Sequence, residues 1–86
     1  MYDIVYLAAI VEQHIPALPK KSQLQIRRAI EERLMVDPVA FGKPLQYSLA
    51  GHRRLRVGDY RIVYRIQPDE KQVLIVAIQH RKDVYR

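Results

Sequence analysis

His52-Arg53-Arg54-Leu55-Arg56-Val57-Gly58-Asp59-Tyr60-Arg61-Ile62-Val63-Tyr64-Arg65 decides how the rest of the chain is read. It is two short runs of alternating character joined at Val57-Gly58-Asp59. Leu55 and Val57 alternate with Arg54 and Arg56, and Tyr60, Ile62 and Tyr64 alternate with Arg61, Val63 and Arg65. A period of two marks strands with one buried and one polar face. The Gly-Asp pair between them is short enough for a tight hairpin. Five arginines stand in these fourteen residues against one aspartate. Like charges on facing strands repel, so such a face is costly unless an anion visits it.

Upstream, Tyr2 to Leu7 is rich in Ile, Val and Tyr and reads as a first strand. Ala8 to Leu18 reads as a short helix with Leu7, Ile10, Val11, His14 and Leu18 on one face. Lys20 to Val36 is the strongest helical pattern, with an apolar stripe of Ile26, Ala29, Ile30 and Leu34. Asp37-Pro38 ends it, because proline disfavours helical geometry in the residue before it. Phe41 to Ala50 is irregular, broken by Gly42 and Pro44, with Leu45 and Leu49 expected to tuck inward.

Downstream, three consecutive strands are expected over His52–Val57, Tyr60–Gln67 and Gln72–Gln79, with hairpin links at Gly58-Asp59 and at Pro68 to Lys71. Val73 to Ile78 is apolar throughout, which suits a central strand covered on both faces. His80 to Arg86 is a polar tail that leaves the sheet. The order is β-α-α-β-β-β. The expected fold is therefore α+β, a helical hairpin packed on one face of a four-stranded, mainly antiparallel, twisted sheet. Ile26, Ile30, Leu34, Leu55, Ile62, Tyr64, Val76 and Ile78 are its expected core.

The 86 residues set one domain, 1–86, as the expectation. There is no cysteine, which removes disulfide frameworks and zinc–thiolate sites. The longest run of aliphatic residues, Val73 to Ile78, is six, far short of a membrane span. No basic residues precede the first apolar stretch, so a cytoplasmic location is expected rather than a secreted one. The net charge of +6 is unevenly spread. Residues 1–42 balance five Lys/Arg with five Asp/Glu, whereas residues 43–65 carry six Lys/Arg and one Asp. A basic patch of this kind fits a nucleic acid or an acidic protein partner, and its plain alternative is a solvated surface.

Arg54-Leu55-Arg56-Val57-Gly58-Asp59-Tyr60-Arg61-Ile62-Val63-Tyr64 and the closing His80-Arg81-Lys82-Asp83-Val84-Tyr85-Arg86, taken with the order of elements, resemble the RelE/ParE superfamily of bacterial toxin–antitoxin toxins. The likeness covers nearly the whole chain, includes Gly42-Lys43-Pro44-Leu45, and is nearest the RelE branch. It implies a ribosome-dependent mRNA endonuclease neutralised by a co-expressed antitoxin, here expected to be acidic. It also implies that His52, Arg54, Arg61, Arg81 and Tyr85 line the mRNA site. RelE toxins carry lysines where this chain has His52 and Arg54, and His80 resembles a histidine found before that arginine in many relatives. A ParE-like toxin that binds DNA gyrase, and a catalytically silent relative, are the alternatives. A monomer that assembles with its antitoxin is the expected state.

Read as chemistry, RNA cleavage by 2′-hydroxyl attack needs a proton acceptor, charge stabilisation at phosphorus and a proton donor to the leaving oxygen. Arg54, Arg61 and Arg81 suit the second task, since the guanidinium fork matches phosphate oxygens and stays charged. His52, His80 and Tyr85 are the candidates for moving protons. Arg53, Arg56 and Lys43 are candidate phosphate contacts. Arg56 has a structural ion pair as its plain alternative, and Arg53, like Arg65, has a solvated one. His14, Tyr60 and Tyr64 are expected in the core. No glycine-rich phosphate loop is present and three scattered histidines form no metal pattern, so neither cofactor nor metal is expected.

Overall fold

A computed structural model describes residues 1–84. Five strands form one sheet in the order β1-β5-β4-β3-β2. They are β1 (Asp3–Tyr6), β2 (Lys43–Pro44), β3 (Arg53–Val57), β4 (Tyr60–Gln67) and β5 (Gln72–His80). β1 runs parallel to β5, and every other pairing is antiparallel. The sheet thus has one strand more than the sequence pattern announces. Two residues of backbone pairing at Lys43-Pro44 leave no periodicity to read.

Helix α1 (Lys20–Ala29) continues through a wider π-type segment, Ile30–Leu34, closed by Met35 N–H donating to the Ile30 carbonyl at 3.0 Å. A second π-type turn at Ile10–His14 stands where a regular helix is expected. On the expected apolar face Leu7 and Val11 are exposed, while Ile10 is fully buried. Asp37 caps the short helix α2 (Pro38–Phe41), its carboxylate accepting the Ala40 N–H at 3.1 Å. Helix α3 (Arg81–Val84) follows β5 directly.

The core lies between the helices and one face of the sheet, where Ile10, Ile26, Ile30 and Leu34 meet Leu55, Val57, Ile62, Tyr64, Val73, Ile75 and Ile78. Val76 is a correction to the expected core, for it is only half-buried. The β4–β5 register slips between Val63 and Tyr64, so that Val63 pairs with Ala77 and Tyr64 with Ile75, leaving Val76 as an extra residue. A bulge reverses which residues point inward on either side of it. Val73 and Ile75 face the core before it and Ile78 after it. The bulge lets the continuous apolar run feed the helix-side core from both of its halves, while Leu74 and Ala77 stay half-buried on the opposite face. Leu49, 40% exposed, also departs from the expected packing.

Tyr64 is fully buried, and its hydroxyl donates to the Pro38 carbonyl at 2.6 Å. Gly42 sits against that hydroxyl, with space for no side chain there. This joins α2 to the centre of the sheet and fixes the edge from which β2 departs.

Candidate functional site

The face opposite the helices carries the charge. Strand register sets Lys43 opposite Arg54, and Arg56 opposite Arg61, with Gln79 on the far side of Arg61. Two like-charge pairs directly opposed across strands are unfavourable in the free protein, by a few tenths to ~1 kcal/mol each. At the turn end of this face, Arg54, Arg56, Gly58, Asp59, Tyr60, Arg61, Arg81 and Lys82 line one cleft of about 400 Å3. Five cations there face a single carboxylate.

The turn builds the cleft. Gly58 adopts φ +57°, a conformation glycine takes without steric cost, which lets Val57 and Tyr60 pair and turns Asp59 outward. The Asp59 carbonyl accepts the Arg81 N–H at 2.8 Å, drawing the start of α3 to the hairpin. Arg81 Nε lies 3.8 Å from the Asp59 carboxylate, and both side chains are mostly exposed. Arg61 is held differently, its Nε donating to Gln79 Oε1 at 3.0 Å. Among the described residues Arg56 has no ion pair and opens onto the cleft.

Of the candidate residues, Arg54, Arg56, Arg61 and Arg81 converge. Lys43 lies one strand over, in a neighbouring depression it shares with Arg33, Phe41, Arg54 and Arg56. Arg53 turns the other way, toward the helices, donating through Nη2 to the carbonyls of Val39 at 2.7 Å and Gly42 at 2.9 Å. Its guanidinium ties β3 to α2. His52 lies just ahead of β3, four residues from Arg56, or roughly 13 Å along an extended chain. It is not among the cleft-lining residues, and its Nδ1 is buried with no hydrogen-bond partner among the described residues.

His80 pairs with Tyr60 across the strands, and the two rings meet edge to face at 5.1 Å. That register places His80 on the helix side, opposite to Arg61. Its Nδ1 accepts the Lys82 N–H at 3.1 Å. Tyr85 falls outside the described residues. His14 is half-buried rather than part of the core, and its Nδ1 accepts the Ile78 N–H at 3.3 Å. Asp59, Lys82 and Gln79 are site residues that the sequence reading passed over. The first two flank named positions, and Gln79 needs strand register to be found.

Two tyrosines have displaced hydroxyl equilibria. Burial pushes Tyr64 above the ordinary 10.0, with the Arg53 guanidinium opposing it. Burial also raises Tyr6, and the nearby Glu31 adds to the rise.

Residues 6–85 match the family of the ParE toxin of the type II toxin–antitoxin system parDE. The chain belongs to the RelE/ParE superfamily of toxins. It is 33% identical over 82 residues to toxin RelE of Mycobacterium tuberculosis, covering 95% of this chain and 84% of that one. It is 44% identical over 50 residues to toxin RelG of the same organism, a stretch spanning 58% of each chain. Among solved structures, a chain of the M. tuberculosis toxin–antitoxin complex RelBE2 superposes with a TM-score of 0.85 at 28% identity, covering 92% of this chain and 96% of that one. The isolated Escherichia coli RelE toxin shares the fold, with a TM-score of 0.77 at 13% identity over 93% of this chain and 84% of that one. The α+β architecture and the RelE-branch likeness expected from the motifs are borne out.

Proposed function

We propose that this RelE/ParE-superfamily toxin is an endoribonuclease that cuts mRNA on the ribosome and is held inactive by an acidic antitoxin. The observation that carries the reading is the convergence of Arg54, Arg56 and Arg61 from two strands with Arg81 from α3 around one open cleft. Arg61 and Arg81 hold the scissile phosphate and stabilise the charge that builds on it during 2′-hydroxyl attack, and Arg54 assists from β3. Arginine is a poor proton acceptor, so another group moves the protons. His52 and His80 do not line the cleft, which leaves Tyr85, four residues after Arg81, as the first group to test. An acidic antitoxin segment laid over the cationic face would relieve the Lys43–Arg54 and Arg56–Arg61 repulsions and exclude RNA. The similar chain in the M. tuberculosis toxin–antitoxin complex RelBE2 supports an antitoxin partner.

The test is cleavage of mRNA in a programmed ribosome, in excess chelator, by wild type, Arg61→Ala and Arg81→Ala, with circular dichroism as the folding control. Each variant keeps its fold and loses on the order of 100-fold or more in rate. Wild-type rates in both folded variants would overturn the assignment. If the wild type arrests growth without cutting RNA, the reading of a toxin that binds DNA gyrase replaces this one.

A further inference from the structure

Arg61 has to be aimed before it can serve a phosphate, and the structure assigns that aiming to Gln79. The two residues are register partners on β4 and β5, and Arg61 Nε donates to Gln79 Oε1 at 3.0 Å. A guanidinium is planar, so fixing Nε fixes the plane and the direction of both Nη nitrogens. Among the described residues neither Nη has a hydrogen-bond partner of its own, so the outer edge of the fork is left for a ligand. On its other side Arg61 faces Arg56, which repels it. Gln79 thus supplies the hold that keeps Arg61 over the cleft against that repulsion.

The chemistry of the acceptor matters. A carboxylate at this position would bind Arg61 more strongly but would cancel the charge the phosphate needs. A glutamine carbonyl gives direction and leaves the charge intact. Gln79 is therefore a positioning residue that acts through Arg61. Its catalytic consequence rests on the endonuclease reading above, whereas the hold itself is measurable without RNA.

The experiment compares Gln79→Met, of similar length but without the acceptor, with Gln79→Glu, which keeps it. In 15N-labelled protein the Arg61 Nε–H resonance, identified by its loss in Arg61→Lys, exchanges slowly with solvent in wild type and in Gln79→Glu. In Gln79→Met it exchanges on the order of 10-fold faster. On programmed ribosomes Gln79→Met lowers kcat on the order of 10- to 100-fold with KM changed far less, as a misaimed group does. In an Arg61→Lys background the same substitution costs nothing further. Unchanged Nε–H exchange in Gln79→Met, or an equal loss in the Arg61→Lys background, overturns the proposal. A wild type that cuts no mRNA while its Nε–H exchange depends on Gln79 overturns the nuclease reading and leaves the hold standing.

Discussion

Replacing Gly42 with alanine tests the joint between α2 and the sheet. Gly42 is extended, with φ −105°, so its backbone places no demand for glycine. The demand is spatial. A Cβ there would lie 1.7 Å from the Tyr64 hydroxyl, 2.8 Å from Tyr64 Cζ and 2.9 Å from the Arg54 carbonyl. To reach an ordinary contact of 3.4 Å the hydroxyl has to retreat by about 1.7 Å, beyond reach of the Pro38 carbonyl it now meets at 2.6 Å. Losing that buried bond costs about 1–3 kcal/mol. Forcing a fully buried ring from its place adds ~1–3 kcal/mol. Gly42→Ala should therefore lose around 4 kcal/mol, lowering Tm by roughly 15–30 °C in a domain of this size. Tyr64→Phe alone should lose about 1–2 kcal/mol. In the Tyr64→Phe background the 1.7 Å contact is gone, and Gly42→Ala should cost on the order of 2 kcal/mol less than in wild type. Urea titrations of the four proteins measure the cycle. An alanine variant within ~1 kcal/mol of wild type, or a cycle that closes additively within ~0.5 kcal/mol, refutes the argument.

Leu34→Ala empties a fully buried position between the helices and the sheet, and should lose about 2–5 kcal/mol by chemical denaturation without altering charge at the cleft. Alkaline titration should weaken the fold. Tyr6 and Tyr64 hold their protons more tightly when folded, so their contribution is fully present below the ordinary 10.0 and is lost as pH rises through their higher folded values. Denaturation midpoints should fall from about pH 10 upward, and Tyr64→Phe should show a shallower fall over that window.

Local pattern made much of this fold legible. Strand β4 falls where its alternation says, and β3 and β5 agree to within a residue at their ends. Ile26, Ile30, Leu34, Leu55, Ile62, Tyr64 and Ile78 are buried as their spacing implies. What stayed hidden depends on partners distant in sequence. The bulge at Val76 exists only relative to β4, the two-residue β2 only relative to β3, and the closeness of Gly42 to Tyr64 only once α2 meets the sheet. The site divides in the same way. Arg54, Arg56 and Arg61 share a face because alternation and one tight turn put them there. Residue type and family likeness point to His52 and His80, and neither shows that one lies short of the cleft and the other on the opposite face. Gln79 has no local mark at all.

The parallel pairing of β1 with β5 also governs when the molecule exists. β1 is the first of the described strands, yet its neighbour in the sheet, β5, follows all the others in sequence. Until Gln72–His80 has been made, a nascent chain offers β1 no ladder, and β4 lacks the strand that lies between it and β1. Such distant pairings are slow to form and come late. Arg81 is the very next residue after β5. Structural closure and the arrival of Arg81 and Lys82, the last described cations of the cleft, thus fall within a few residues of each other.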